Sequence, residues 1–206
     1  MSLSRRAALL GLSSLLLAAC VGPGASFKTE YTQVPPALAA SWRLADVQVS
    51  VPRTLKVSEA KTYLPVADIV WREDPMGDRY DQVARIIEAG VRRGAQDLRG
   101  ARPVIISVTV TRFHALTFEA EQRFENAGVH NIRLVAQVVD ARTGEVLVPA
   151  TPIRAELPAP SGKAMKAARR KGQSQKSMIT AHVAKTVAGW LGLGPDVRGD
   201  FNRQGN

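Results

Sequence analysis

Two stretches near the middle of the chain place an apolar residue at every second position. The first carries Val104, Ile106, Val108 and Val110, and the second carries Ile132, Leu134, Ala136 and Val138. Because successive side chains of a strand point to opposite faces, a period of two predicts strands that bury one face only. The chain therefore needs a second layer to cover that face of the sheet.

Two amphipathic helices are predicted to form that layer. In the first, apolar residues recur at helical spacing, with Asp78 as N-cap and Gly100 closing the element: Val83, Ile86, Ile87, Val91, Ala95 and Leu98. The last helix has the same pattern and stops at Gly192 and Pro195: Ile179, Val183, Val187, Trp190 and Leu191. A shorter helix over 164–171 is basic. These helices cover one side of the predicted sheet.

The remaining strands are predicted from shorter signals. Residues 47–51 alternate and end at Pro52, residues 145–148 return after the turn at Gly144, and residues 153–157 extend that edge. The predicted order is β-α-β-β-β-α. This order predicts an α+β fold, a two-layer sandwich with a mostly antiparallel sheet and helices packed on one face.

Length and composition fit one domain with additional N-terminal segments. The chain has 206 residues, 45% of them hydrophobic and 22% charged. We assign 1–19 to a signal peptide, 20–40 to a lipid anchor and flexible tether, 41–195 to a single α+β domain, and 196–206 to a frayed tail. Phe27 and Tyr31 leave open the alternative that part of the tether docks on the domain.

The N-terminus carries an export signal that ends at the chain's only cysteine. Arg5 and Arg6 precede the apolar run 7–19, which is too short to cross a bilayer. Leu17-Ala18-Ala19-Cys20 resembles the lipobox of bacterial lipoproteins. The resemblance implies cleavage before Cys20, a thioether from its sulfur to diacylglycerol, and an acyl group such as palmitate on the new amine. The general secretory and twin-arginine export routes both remain open.

The residue after the lipidated cysteine bears on the destination. Lipoproteins kept at the inner membrane often carry aspartate there, whereas this chain has Val21. The resemblance therefore implies a lipid-anchored protein of the cell envelope that faces the periplasm, at the outer rather than the inner membrane. The membrane is thus one expected partner, reached through Cys20.

Four segments of the mature chain resemble small uncharacterised envelope lipoproteins that are grouped as a domain of unknown function. They are DIVWREDP (68–75), LRGARPV (98–104), VVDARTGEVL (138–147) and GWLGLGPD (189–196). The order of elements is also similar to that of α+β modules in auxiliary lipoproteins of envelope transport and secretion systems. Those modules bind partners rather than catalyse, and the likeness implies no particular activity.

Catalytic and metal-binding motifs are not recognisable in the sequence. His114, His130 and His182 lack a second histidine or cysteine at ligand spacing, and His114 and His130 are interpreted as structural. The acidic cluster Glu73, Asp74, Asp78 and Asp81 does not have EF-hand spacing. We predict no catalytic residues, no metal site, no cofactor and no enzymatic activity.

Charge gives the one further site prediction. The formal net charge is +10, and residues 157–195 contain no acid. Six basic residues in this run are predicted to contact anionic head groups or an acidic envelope protein: Lys163, Lys166, Arg169, Arg170, Lys171 and Lys176. The alternative is a solvated surface. Nucleic acid is not expected as a partner, because no aromatic residues interleave for base stacking.

Together these features predict a membrane-tethered envelope lipoprotein that acts as a non-catalytic binding or accessory module. Two alternatives remain open at this point. One is an envelope hydrolase or transferase acting on wall or lipid substrates, and the other is a carrier of an apolar ligand held between sheet and helices.

The lipobox yields a direct prediction. Replacing the thiol in Cys20→Ser removes the atom that is alkylated, so the variant should remain an unlipidated, uncleaved precursor. Intact-mass spectrometry of membrane fractions checks this. A mature acylated N-terminus at residue 20 of the variant would refute the lipoprotein assignment.

Overall fold

The structure is a computed structural model, and it describes residues 27–125 and 128–201. The predicted signal peptide, Cys20 and the start of the predicted tether lie outside the described residues. The described strands are β1 Phe27–Glu30, β2 Trp42–Ser50, β3 Ile69–Val70, β4 Arg102–His114, β5 Gly128–Asp140, β6 Val146–Ala155, β7 Leu157–Ala159 and β8 Gly199–Phe201. The described helices are α1 Pro36–Ala39, α2 Arg79–Gly94, α3 Phe118–Arg123, α4 Gly162–Arg170 and α5 Gln175–Trp190.

One sheet contains these strands, in the order β2-β4-β5-β6-β1-β8, with β3 added to β4 and β7 added to β5. The long strands β4 and β5 pair antiparallel from Val104 opposite Asp140 to His114 opposite Asn131. Only β2 and β3 run parallel to β4. The predicted α+β class with a mostly antiparallel sheet is confirmed, and the predicted elements correspond to β2, α2, β4, β5, β6 and α5.

Helices α2 and α5 pack together over one face of the sheet. The alternating residues of β4 and β5 bury their apolar side chains against both helices, and Ile87, Val183 and Trp190 are fully inaccessible. The Asp78 carboxylate accepts hydrogen bonds from the amides of Tyr80 and Asp81, which confirms its predicted role as N-cap of α2. Burial of this shared face is the main source of stability.

A β-bulge changes the orientation of the far end of β4. Val104, Ile106, Val108 and Val110 face the helices, and the register with β5 then shifts between Val110 and Arg112. Beyond this shift Phe113 is the buried residue, and Arg112 lies on the opposite, open face. Strict alternation would have pointed residue 112 into the core. The extra residue therefore moves a guanidinium out of the core.

The prediction of a flexible tether over 20–40 is wrong for its described part. Strand β1 pairs with both β6 and β8, and Tyr31 and Val34 are buried. Gly189 makes room for the Tyr31 ring, because a Cβ there would lie 2.2 Å from its hydroxyl. Residues 27–40 thus belong to the domain, as in the docking alternative. A four-residue strand has too few positions to show a period.

The predicted frayed tail is corrected in the same way for residues 196–201. The Tyr31 hydroxyl donates to Asp196 and accepts a hydrogen bond from the Val197 amide. Strand β8 then closes the edge of the sheet beside β1. The two ends of the described chain therefore stabilise each other, which a local sequence pattern does not reveal.

Close contact between α2 and α5 depends on glycine. A Cβ on Gly94 would lie 2.5 Å from the Ala184 carbonyl oxygen. We expect Gly94→Ala to lower the free energy of unfolding by about 1–2 kcal/mol, because overpacking exceeds the gain in helix propensity. Gly199→Ala is the control, since a Cβ there meets nothing within 4 Å. Urea unfolding checks both variants, and equal midpoints for Gly94→Ala and the parent would contradict the packing analysis.

Candidate functional site

The open face of the sheet carries a pocket of about 620 Å³ beside the bulged end of β4. Three parts of the chain line it: residues 63–68 before β3, Arg112 with residues 114–117 at and after the end of β4, and Val129 and Asn131 of β5. Lys56 and Phe27 complete the lining. A pocket of this size is typical of small-molecule sites. We call residues 58–67 the pocket loop.

Hydrogen bonds from the sheet hold the pocket loop in place. His114 Nε2 donates to the Pro65 carbonyl oxygen at 3.1 Å, and Thr117 Oγ1 donates to the Thr62 carbonyl oxygen at 2.9 Å. The Tyr63 ring packs edge-on against Phe124, with centroids 5.4 Å apart. The loop is thereby fixed over the open face, with its apolar side chains at the pocket entrance.

The entrance is apolar and accessible. Leu64 is 71% exposed and Val66 is fully exposed, and both residues border the pocket. Exposed apolar residues that cluster around a concavity mark a surface that contacts a ligand or a partner. The entrance is therefore suited to an apolar group.

The floor of the pocket is polar and carries the cation Arg112, which belongs to a row of arginines on the open face. On the open face, Arg112 stands opposite Arg133 of β5, which stands opposite Arg154 of β6. The fully buried Glu156 carboxylate binds Arg133 at 2.9 Å and Arg154 at 2.7 Å. Glu156 thus pairs with two of the three guanidinium groups of the row. Within residues 27–125 and 128–201, Arg112 forms no hydrogen bond or ion pair.

Two atoms of the floor are buried without a hydrogen-bond partner among the described residues. They are Nε of Arg112, a donor, and Oδ1 of Asn131, an acceptor. Both residues line the pocket. Buried polar atoms ordinarily have partners, and leaving one unsatisfied costs about 1–3 kcal/mol. The floor therefore contains a donor and an acceptor whose hydrogen bonds are unmet by the described residues.

The other polar side chains of the pocket are already engaged. Burial and the neighbouring Arg112 lower the pKa of His114, so its ring is neutral at pH 7 and uses its Nε2 proton for the Pro65 carbonyl. The Thr117 hydroxyl is bound to the pocket loop. A nucleophile activated by a base needs a hydrogen bond between the two groups. The described pocket residues contain no such pair.

The remaining histidines lie within the fold. His130 is fully buried, with neither ring nitrogen bonded to a described residue, and its pKa is lowered to about 3 by burial and by the neighbouring His182. His182 Nε2 lies 2.9 Å from Thr29 Oγ1. Burial, with Lys185 close by, lowers the pKa of His182 to about 4. Across the described ranges, histidine, cysteine and carboxylate side chains form no cluster of three that could hold a metal ion.

Two of the six basic residues predicted to contact an anionic partner are engaged in ion pairs. Arg169 binds Glu121 at 2.9 Å and Glu73 at 3.0 Å, and Lys176 binds Asp74 at 2.9 Å. Acids from distant parts of the sequence thus neutralise this run. The four others are on α4 or at its end, and their side chains have no ion pair with a described residue: Lys163, Lys166, Arg170 and Lys171.

The segments that resemble uncharacterised lipoproteins are accounted for by structural contacts. Within 68–75, Trp71 donates to Asp74, and Glu73 accepts the first amides of α5. Arg102, from the second segment, binds Asp140 and Glu145 of the third. These contacts hold loops, helix ends and a hairpin. They also explain the acidic cluster, whose other two members lie at the start of α2.

The three tryptophans are core residues rather than the walls of a groove. Trp42, Trp71 and Trp190 are each completely buried. The space between sheet and helices is filled by these rings and by the aliphatic core. The interlayer ligand site of the carrier alternative is therefore not where the structure has a pocket. The pocket lies instead on the open face, and its key residue, Arg112, was not predicted from the sequence.

Fold and site together define an α+β domain with an amphipathic pocket on the open face of its sheet. Residues 42–206 match the model of a family of unknown function, DUF6778, and the chain belongs to that family. No curated protein matches the sequence. No helix of the described residues is long and apolar enough to cross a bilayer.

Several solved structures are similar at low identity. The PelC dodecamer from Paraburkholderia phytofirmans is 16% identical, with 78% of this chain and 94% of that chain covered and a TM-score of 0.36. A candidate lipoprotein from Caulobacter crescentus is 12% identical, with 78% and 98% covered and a TM-score of 0.35. A Xanthomonas campestris protein of family DUF330 is 17% identical, with 75% and 84% covered and a TM-score of 0.37. No functional conclusion follows from similarity at this level.

Arg169 and Arg170 provide a matched pair of variants. Arg169→Glu would place a carboxylate against Glu121 and Glu73, so we expect the free energy of unfolding to fall by about 2 kcal/mol. Arg170→Glu introduces the same charge at an exposed position and should change stability by less than about 0.5 kcal/mol. Urea unfolding compares them. Equal stability of the two variants would show that the Arg169 ion pairs do not contribute.

Buried histidines predict acid sensitivity. The pKa of His182 is depressed in the folded state, so the unfolded chain binds the proton first as the pH falls below about 6.5. Stability is then lost between pH 6.5 and about 4. At pH 5 the His182 contribution is about 2 kcal/mol. His182→Gln should therefore lose about 2 kcal/mol less than the parent between pH 7 and pH 5 in urea unfolding, and an equal loss would contradict the prediction.

Proposed function

We propose that the protein is an envelope lipoprotein, anchored through Cys20, whose folded domain is a non-catalytic binding module. The observation that carries this proposal is the open-face pocket, which combines an exposed apolar entrance with an unpaired guanidinium and an unpaired amide oxygen. Such a site recognises a ligand without activating it. The module would serve as an accessory to a larger envelope process.

The location belongs to the same proposal. The resemblance to a lipobox puts the expected lipidated residue, Cys20, seven positions before the first described residue, and Val21 favours the outer membrane by the rule for such lipoproteins. Two or more acyl chains hold a protein stably at a bilayer, whereas one holds it marginally. The domain would therefore face the periplasm at short distance from the outer membrane.

Of the two alternatives, carriage of an apolar ligand is the one favoured by a specific observation. Leu64 and Val66 line the pocket and are among the most exposed apolar side chains of the described residues. Exposing them to water is unfavourable unless a ligand or partner covers them. A hydrolase or transferase would need an activated nucleophile, and the pocket hydroxyl and imidazole are instead bound to the pocket loop.

The pocket entrance can be tested with a neutral apolar probe. We expect the double variant Leu64→Ser, Val66→Ser to bind Nile red about tenfold more weakly than the parent, because both apolar contacts are removed. Met76→Ser is the matched control, since Met76 is 85% exposed and lies outside the pocket. Fluorescence titration measures the dissociation constants. Unchanged binding by the double variant, or equal weakening by Met76→Ser, would refute the pocket as the binding site.

A further inference from the structure

The floor of the pocket favours a charged group of a ligand, whereas the entrance favours an apolar group. Arg112 is half-buried and lacks a hydrogen bond or ion pair to any described residue, and its Nε is among the buried atoms without a partner. The buried carboxylate nearest in the row, Glu156, is shared by Arg133 and Arg154. A partly desolvated cation without a counter-ion is costly, and an anionic ligand group would remove that cost.

Other charges of the lining do not supply that counter-ion. Asp68 lines the pocket, but its Oδ2 accepts the backbone amide of Lys56, whose ammonium group belongs to the same lining. His114 is neutral because its pKa is lowered by burial and by Arg112. The described charges of the lining are therefore two cations, Lys56 and Arg112, and the one carboxylate of Asp68.

Size restricts the ligand further. At about 30 Å³ for each water-sized group, a pocket of about 620 Å³ accommodates on the order of 20 non-hydrogen atoms. That is enough for one acyl chain with a small head group. An apolar chain fits the entrance formed by Tyr63, Leu64 and Val66, and the head group fits the floor.

From this arrangement we propose that the pocket binds a single-chain anionic amphiphile, with the carboxylate or phosphate at Arg112 and the acyl chain under the pocket loop. This inference rests on the proposed function, because it names the ligand class of the same pocket.

Chain length makes the membrane surface a reachable source of such a ligand. Phe27 lines the pocket, and Cys20 precedes it by seven residues. Seven residues span at most about 24 Å when fully extended. A cysteine anchored in the bilayer therefore keeps the pocket within that distance of the lipid surface, where single-chain amphiphiles concentrate.

The experiment compares ligands of one chain length and different head groups. The chain from residue 21 onward contains every residue of the core, which runs from Tyr31 to Leu191, and it serves as the unlipidated protein. Isothermal titration calorimetry measures binding of dodecanoate, dodecyl phosphate and the neutral monododecanoylglycerol below their micelle concentrations. We expect at least one of the two anions to bind tenfold or more tightly than the neutral ligand.

Two variants test the assignment to Arg112. Arg112→Gln removes the cation, and Asn131→Asp places a carboxylate that would pair with it. Both should abolish the preference for anions and leave the affinity for monododecanoylglycerol within threefold of the parent, which also shows that the pocket remains folded. Arg170→Gln is the control, because it removes an exposed arginine elsewhere, and it should keep the preference.

The outcomes separate the ligand class from the proposed function. Equal affinity of the parent for anionic and neutral ligands, or a preference retained in Arg112→Gln, would overturn the anionic class while leaving an apolar binding pocket. Absence of binding of all three ligands to the parent would overturn the ligand class. If Nile red also fails to bind the parent, the proposed binding function fails with it.

Discussion

The β-bulge in the pairing of β4 with β5 is the constraint on which both the core and the pocket depend. Before the shift, β4 directs its branched side chains towards α2 and α5, and beyond it the phase is reversed. Phe113 then enters the core, where its ring meets Trp71 edge-on at 5.6 Å. Arg112 turns to the open face beside Arg133. Without the extra residue, a guanidinium would lie among apolar side chains at prohibitive cost.

Ion pairs between distant segments fix the elements around this sheet. Glu73 and Glu121 meet Arg169, while the amides that begin α5 bind Glu73. A carboxylate at a helix N-terminus is favoured by both the free amides and the helix dipole. The same acids neutralise part of the basic run. Fewer basic residues of this run are therefore left without an ion pair than their number in the sequence suggests.

The long periodic elements could be predicted from sequence, whereas the site could not. Strands β4 and β5 and helices α2 and α5 have enough residues for a period to be recognised, and Asp78 has the local signature of a cap. Strands β1 and β8 have four and three residues and depend on each other across the whole chain. The bulge at Thr111 is set by pairing with β5, so alternation alone places residue 112 on the wrong face. The pocket follows from that bulge and was missed with it.

Basic residues without an ion pair to a described residue lie on α4, a helix that is connected through α3 to one wall of the pocket. Thr117, which lines the pocket, is the N-cap of α3, and α3 packs against α4. Helix α4 carries Lys163, Lys166 and Arg170, none of which forms an ion pair with a described residue. Each such charge near an anionic membrane contributes about 1 kcal/mol, and the attraction fades beyond about 8 Å at physiological salt. A domain that the proposed anchor brought within that range would turn α4 towards the lipid. Helix α3 thereby links the basic surface of α4 to the wall of the pocket.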